Sequence, residues 1–121
     1  MKYYELREFI TKKMRMAPGY NYQPVMIRTL LQNDGKATRE QIEDELKNEN
    51  KHLLPWKKTD LPFQKLIEHS VCIHNDSTKE YELLDFDEIQ TNAQWKAVLV
   101  TKCNERIKEI EKKQTTWWIM S

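Results

Sequence analysis

The predicted fold depends most on residues 71–84, whose sequence is VCIHNDSTKEYELL. Apolar and polar residues alternate on both sides of the turn-forming residues 75–79, a pattern typical of two short strands joined by a turn. The stretch therefore predicts an antiparallel β-hairpin. Its core-facing side chains are predicted to include Ile73, Tyr81 and Leu83.

The residues before the hairpin predict two helices separated by a short extended link. One helix begins near residues 21–24, where proline is tolerated in the first turn, and ends at residues 33–35, Asn-Asp-Gly, which favour a left-handed cap. Residues 36–37 form the link. A capping box opens the next helix, because the Thr38 hydroxyl can accept from the Gln41 amide while the Gln41 side chain reaches back. The inward-facing residues are predicted to be Val25, Met26, Leu30, Leu31, Ile42 and Leu46.

A third helix is predicted at residues 60–69, directly before the hairpin. The polar stretch at residues 48–56 predicts a loop, after which Thr59 or Asp60 can cap the helix. One side of this helix is apolar and the other is polar, which favours packing on a core. Its predicted core residues are Phe63, Leu66 and Ile67.

Two longer amphipathic helices flank this centre. Residues 3–16 form a basic helix with one apolar side, and residues 91–113 form a helix with an apolar stripe. Thr91 and Gln94 predict a second capping box at the start of the latter. The predicted core residues of the two helices are Leu6, Phe9, Ile10, Met14, Trp95, Val98, Leu99, Cys103, Ile107 and Ile110.

Residues 114–121 are predicted to form an apolar tail that contains Trp117 and Trp118. Two adjacent indoles are unfavourable in water, so the tail is expected to cover another surface. It either folds back on the first helix or contacts another subunit or domain. Both interpretations stay open at the level of sequence.

The order of these elements predicts a mostly α-helical protein with a small β-hairpin. It is the order of a winged helix-turn-helix with additional N-terminal and C-terminal helices. A chain of 121 residues has room for a single domain, and the winged-helix core would occupy residues 20–84. In such a domain the hairpin is the wing, and the helix at residues 60–69 enters the major groove of a duplex, which is wide enough for one helix.

Short motifs in the chain resemble the winged-helix domains fused to prokaryotic HNH and other restriction-type endonucleases. They are YNYQPVMI at residues 20–27, LL at residues 30–31, GKAT at residues 35–38, and Ile42. The resemblance covers residues 20–113 and implies a domain that positions or accompanies a nuclease. The chain departs from these proteins by its added basic helix at residues 3–16 and by the lack of a nuclease motif.

Composition narrows the function mainly by exclusion. The 20 Lys and Arg residues nearly balance the 19 Asp and Glu residues, so net charge alone does not predict a nucleic-acid partner. Two glycines, Gly19 and Gly35, are too few for a glycine-rich phosphate loop. The chain lacks an apolar run of transmembrane length and a secretory signal, so a cytoplasmic location and free thiols at Cys72 and Cys103 are predicted, with no cofactor.

Basic side chains gather around the predicted helix at residues 60–69. Lysines there are expected to contact phosphates, a glutamine to touch a base edge, and an arginine at the preceding capped helix start to clamp the neighbouring backbone. A solvated charged surface is the alternative interpretation, because Asp60 and Glu68 dilute the positive charge. The predicted nucleic-acid contacts are Arg39, Lys57, Lys58, Gln64 and Lys65.

Two other clusters carry side chains that bind metals. A set of histidines and cysteines has zinc-binding atoms but lacks the spacing of a zinc motif, and a set of acids after the hairpin is of a kind that more often precedes a helix. Both are interpreted as structural, and neither a metal nor a catalytic residue is predicted. The two sets are His69, Cys72, His74 and Cys103, and Asp85, Asp87 and Glu88.

The leading functional hypothesis is a nucleic-acid-binding winged helix that accompanies a prokaryotic nuclease or restriction system and is not itself an enzyme. Double-stranded DNA is the predicted partner, bound weakly and in a salt-sensitive way, and the Trp117–Trp118 pair is a predicted contact for a nuclease domain or protein partner. One alternative is a dimeric transcriptional regulator, in which the helices at residues 3–16 and 91–113 pack across a two-fold axis. The other is a protein-interaction module that uses the winged fold without DNA.

Overall fold

Helices account for most of the chain, and a small antiparallel sheet completes it. The computed structural model describes residues 1–16, 22–50 and 61–120, and the side chains of residues 50, 61, 62 and 114–120 lie outside this description. The coarse prediction of a mostly helical protein with a small hairpin is confirmed. The helices are α1 (Tyr3–Glu8, continued by a π-helical turn at Phe9–Lys13), α2 (Tyr22–Gln32), α3 (Arg39–Asn50), α4 (Leu61–Glu68), α5 (Phe86–Gln90) and α6 (Ala93–Met120). The strands are β1 (Lys36–Thr38), β2 (Cys72–Asn75) and β3 (Glu80–Leu83).

The N-terminal helix is shorter than the predicted residues 3–16. It ends at Lys13, because Met14 has an extended backbone with φ −70° and ψ 139°. The Met14 amide donates to the Phe9 carbonyl at 2.9 Å, which is the five-residue spacing of a π-helical turn. The predicted apolar side is nevertheless confirmed, since Leu6, Phe9, Ile10 and Met14 are all buried.

α2 is central to the core. It packs against α3 and α6, and nearly all of its side chains are buried. Its end confirms the predicted left-handed cap, because Asp34 and Gly35 have φ of 56° and 83° and the Gly35 amide donates to the Leu30 carbonyl at 2.7 Å. This turn redirects the chain from α2 into β1.

The capping box at the start of α3 is confirmed. The Gln41 amide donates to Thr38 Oγ1 at 3.2 Å, and the Thr38 amide donates to Gln41 Oε1 at 2.9 Å. Two backbone donors at the helix start are thereby satisfied. α3 continues to Asn50, so residues 48–50 are helical where a loop was predicted.

The predicted hairpin is present, and β1 adds a third strand to it. β3 lies between β1 and β2 and is antiparallel to both. Ala37 of β1 lies opposite Tyr81 of β3 and is fully buried. The short link predicted at residues 36–37 is therefore part of a sheet strand.

Ile73 does not face the core, contrary to the prediction. It lies opposite Glu82 and is 45% exposed, whereas Tyr81 and Leu83 are 8% and 5% exposed. Successive side chains along a strand point to opposite faces of the sheet. The pairing that buries Tyr81 and Leu83 therefore buries Cys72, opposite Leu83, and places Ile73 on the outer face.

The start of α6 also differs from the prediction, because a short helix precedes it. α5 was not predicted, and it buries Phe86 and Ile89. The Thr91 hydroxyl donates to the Glu88 carbonyl at 2.6 Å and so closes α5. Asn92 Oδ1 accepts from the Gln94 amide at 3.0 Å and caps α6. The capping box predicted between Thr91 and Gln94 is therefore wrong, because the Gln94 amide donates to Asn92 and the Thr91 hydroxyl donates to α5.

α6 ends at Met120, beyond the predicted end at Lys113. Residues 114–120 contain neither glycine nor proline, so the sequence carries no local signal that ends the helix. The structure does not describe the side chains of Trp117 and Trp118, so their contacts stay predictions.

Within the described residues, no helix combines the length and apolarity needed to cross a bilayer. The apolar stripe is confirmed, with Leu99, Cys103, Ile107 and Ile110 buried and Trp95 and Val98 partly buried.

Candidate nucleic-acid interface

α4 carries two of the side chains that were predicted to meet a duplex. It packs on α2 and β2, with Phe63 and Leu66 buried. Gln64 is exposed and Lys65 is half-buried, so both contribute to the outer surface of the helix. Ile67 was predicted to face the core but is 38% exposed, because the buried stripe of this short helix is filled by Phe63 and Leu66.

Arg39 lies beside α4 and has partners within the protein. Its Nε donates to Glu43 Oε1 at 2.8 Å, and its guanidinium lies 4.7 Å from the centre of the Phe63 ring. These contacts fix the first turn of α3 against α4. Glu43 is only 8% exposed, so Arg39 neutralises a nearly buried carboxylate. A phosphate contact by Arg39 stays a prediction, and it requires the guanidinium to be shared with Glu43.

Of the three lysines predicted to contact phosphates, only Lys65 lies in the part of the chain that the structure describes. Lys65 Nζ lies 3.5 Å from Glu68 Oε2 in an exposed ion pair three residues apart. Such pairs contribute little in water and are screened by salt, so Lys65 can exchange this partner for a phosphate. Lys57 and Lys58 lie outside the described residues.

The turn of the hairpin presents more negative than positive charge. Asn75 Oδ1 accepts from two amides of the turn, and these hydrogen bonds fix the backbone of the turn. The side chain of Asp76 is 93% exposed and lies 2.8 Å from His74 Nδ1. Glu80 and Glu82 follow on β3, and Lys79 is the lysine of the turn. This charge disfavours a phosphate contact at the hairpin tip.

A charged cluster that the sequence pattern did not indicate joins α2, α3 and α6. Arg28 Nη2 lies 2.7 Å from Glu49 Oε1 and 3.7 Å from Glu45 Oε2, and Arg28 Nη1 donates to Asn104 Oδ1 at 3.0 Å. Burial, followed by the hydrogen bond and negative charge of Glu49, raises the pKa of Glu111 to about 7, although Arg28 and Lys108 act in the opposite direction. The cluster therefore changes its charge near neutral pH.

The candidate metal and nucleophile residues have structural surroundings. Cys72 and Cys103 are buried, and burial raises the pKa of each thiol to about 12. A thiol that stays protonated at neutral pH is a poor nucleophile. His69 packs against the ring of Phe9. Among the residues that the structure describes, no group of three His, Cys, Asp or Glu side chains is placed to hold a metal ion.

The acids after β3 hold the N-terminal residues in place. Asp85 Oδ2 lies 3.1 Å from the N-terminal ammonium of Met1. Glu88 Oε1 accepts from the Tyr3 amide at 3.3 Å, and Glu88 Oε2 lies 3.8 Å from Lys2 Nζ. These contacts agree with the structural interpretation of the acids.

Comparisons with family models, with curated proteins and with solved structures find no match to this chain. Its candidate interface is therefore defined by the geometry of α4 and by the sequence motifs that precede it.

Proposed function

We propose that this chain is a winged-helix domain that binds duplex DNA through α4. The order α2-β1-α3-α4-β2-β3, with β3 between the other two strands, supports this arrangement. In it β2 and β3 form the wing, and α4 is the helix offered to the major groove.

The observation that carries the proposal is the two-sided character of α4. Phe63 and Leu66 hold the helix on the core, while Gln64 and Lys65 contribute to its outer surface. A glutamine amide can bond both N6 and N7 of adenine, and a lysine can neutralise a phosphate. Arg39, 4.7 Å from the Phe63 ring, adds a cation beside the helix.

We further propose that the domain accompanies a prokaryotic nuclease or restriction system in the cytoplasm and contributes binding, not catalysis. The motifs at residues 20–27 and 35–38, which resemble the winged-helix domains of restriction-type endonucleases, support the association. The raised pKa of the buried Cys72 and Cys103 thiols supports a role without cysteine nucleophiles. The nuclease partner would then supply the chemistry.

A protein-interaction module is the second candidate, and the charge of the sheet favours it. An open cleft of about 690 Å³ beside the outer face of the sheet contains the exposed Ile73, and carboxylates outnumber lysines in its lining: Asp34, Glu82, Asp85, Asp87 and Glu88 against Lys2 and Lys36. Carboxylates at this density repel phosphates and complement a cationic protein surface. Absence of duplex binding at low salt would favour this candidate over the first.

Salt dependence of duplex binding tests the proposed function. If Lys57, Lys58 and Lys65 each neutralise one phosphate, the log of affinity should fall with the log of salt at a slope of roughly −3, since each contact releases about 0.9 counterion. Changing all three to Ala should flatten this slope and weaken all duplexes alike. Gln64→Ala should act mainly on sequence preference. Fluorescence anisotropy of labelled duplexes measures both effects.

A matched control removes the same charge elsewhere. Lys36, Lys47 and Lys108 are exposed on β1, α3 and α6, and their joint change to Ala should leave the slope unchanged. A Lys57, Lys58 and Lys65 triple variant that binds duplexes as tightly as the parent over the same salt series contradicts the proposal.

A further inference from the structure

α1 and α6 enclose a groove that combines basic and aromatic side chains. A cleft of about 340 Å³ lies between them, and a second cleft of about 230 Å³ shares Thr11 and Lys102 with the first and reaches Arg106. The two clefts adjoin at these shared residues, and together we call them the α1–α6 groove. Its lining combines the cations Arg7, Lys12, Lys102 and Arg106 with the carboxylates Glu8, Glu105 and Glu109, together with Tyr4 and Thr11.

Tyr4 places an aromatic ring in water at one end of the α1–α6 groove. It is 69% exposed, more than any other large apolar side chain in the described part of the protein. Beneath it, the buried ring of Tyr3 stacks on Trp95 at 4.6 Å and meets the Tyr4 ring in an edge-to-face contact at 5.0 Å. These contacts support Tyr4 from one side and leave most of its surface open for stacking.

The cations of the larger cleft are accessible to an anionic ligand, whereas Arg106 of the smaller cleft donates to the Ile10 carbonyl at 2.8 Å and pairs with Glu109 at 2.9 Å. Arg7 and Lys12 are exposed, and neither forms an ion pair with another described residue. Lys102 Nζ lies 3.6 Å from Glu105 Oε2 in an exposed pair, which is weak in water. Glu8 is the carboxylate that lines the larger cleft. The larger cleft therefore has an excess of positive charge next to an exposed aromatic ring.

We propose that the α1–α6 groove binds single-stranded nucleic acid, with Tyr4 stacking on a base and Arg7, Lys12 and Lys102 contacting phosphates. Exposed aromatic rings beside a track of cations bind single strands with little sequence preference, because every base has a π-face. A duplex does not supply such a face along its length, since its bases stack on one another. An acidic protein segment would use the cations but not Tyr4. The groove is distinct from α4, so this inference goes beyond the proposed duplex binding and does not depend on it.

The test is the fluorescence anisotropy of a labelled oligothymidylate with the full chain over a salt series. Three phosphate contacts predict a slope of roughly −2, since each contact to a single strand releases about 0.7 counterion. Tyr4→Ala should weaken binding roughly tenfold, and Tyr4→Phe should retain it, because stacking needs the ring and not the hydroxyl. Joint Arg7→Gln and Lys12→Gln changes should flatten the slope by about 1.4.

Matched controls separate this surface from other charge effects. Joint Lys36→Gln and Lys47→Gln changes remove equal charge from β1 and α3 and should leave the slope unchanged. The Lys57, Lys58 and Lys65 triple variant should also bind oligothymidylate like the parent, so failure of duplex binding through α4 and failure of this inference are distinguishable.

Three results would overturn the inference. The first is that the oligothymidylate does not bind the parent at low salt, and the second is that it binds Tyr4→Ala as tightly as the parent. The third is an oligoglutamate peptide that binds the parent as tightly as the oligothymidylate does and is unaffected by Tyr4→Ala. That outcome assigns the groove to an acidic protein partner.

Discussion

Gly35 is held at φ 83° directly against the ring of Phe86. A Cβ at this position would stand 2.6 Å from Phe86 Cγ and 3.0 Å from Phe86 Cβ, so the Phe86 side chain or the turn would have to shift. Gly35→Ala should therefore destabilise the protein by roughly 2–4 kcal/mol, as measured by urea unfolding. Asp34→Gly changes the neighbouring left-handed position, at φ 56°, and should be neutral or stabilising. A Gly35→Ala variant as stable as the parent would contradict this account of the turn.

The Glu111 carboxyl should make stability depend on pH. Its pKa of about 7 lies above the ordinary 4.5, first because of burial and then because of the hydrogen bond and charge of Glu49. The folded protein therefore binds this proton more tightly than the unfolded chain does. The resulting stabilisation is fully present below pH 4.5 and is lost as the pH rises through about 7.

Replacement of Glu111 tests this pH dependence. Glu111→Gln keeps a hydrogen-bonding group without the charge. Its urea midpoint should therefore exceed that of the parent above pH 7, and this midpoint should change less than that of the parent between pH 7 and lower pH. Glu109→Gln, at an exposed ion pair on the same helix, should keep the pH dependence of the parent. Equal pH profiles for the parent and Glu111→Gln would show that the carboxyl is not the group that titrates.

At the scale of the elements, the start of α6 shows how two adjacent residues can have different roles in helix capping. Asn92 caps α6, whereas the Thr91 hydroxyl donates to the last turn of α5. Asn92→Ala should cost about 1 kcal/mol of unfolding free energy, and Thr91→Ala should cost less. Thr38→Ala, which removes the confirmed cap of α3, should cost about as much as Asn92→Ala. Thermal unfolding of the three variants measures the difference. A larger loss for Thr91→Ala than for Asn92→Ala would reverse this assignment.

Much of the element order could be predicted from the sequence, because local hydrogen bonds determine it. The cap at Gly35 and the capping box at Thr38 act within a few residues, and both are present in the structure. Strand pairing is different. The outward position of Ile73 follows from its partner Glu82 on β3, and β1 exists because it pairs with β3. Neither pairing is encoded near the residues that it controls.

The candidate interface could likewise be predicted where it depends on local periodicity, but not where it depends on contacts between helices. Helical periodicity places Gln64 and Lys65 outside the buried stripe of α4, as the sequence indicated. The contact of Arg39 with the Phe63 ring joins two helices, so the sequence pattern could not show it. The Arg28 cluster was missed for the same reason, because its partners come from three helices.

At the scale of the whole molecule, the described surfaces differ in their balance of charges although the formal net charge is only +1. Cations and carboxylates are interspersed beside α4 and along the α1–α6 groove, whereas carboxylates outnumber lysines in the cleft at the outer face of the sheet. If a duplex contacts α4, as we propose, the carboxylates of the sheet face should repel its phosphates. Binding should then be restricted in orientation, weak and sensitive to salt.

The most direct test of the central claim is to locate where a duplex contacts the chain. A short duplex titrated into nitrogen-15-labelled protein at low salt should shift the amide resonances of Gln64, Lys65 and Arg39 most, and those of Ile73 and Glu82 little. The shifts should disappear at high salt, because phosphate contacts dominate the affinity. Shifts confined to the outer face of the sheet and absent from α4, or no shifts at low salt, would contradict duplex binding through α4.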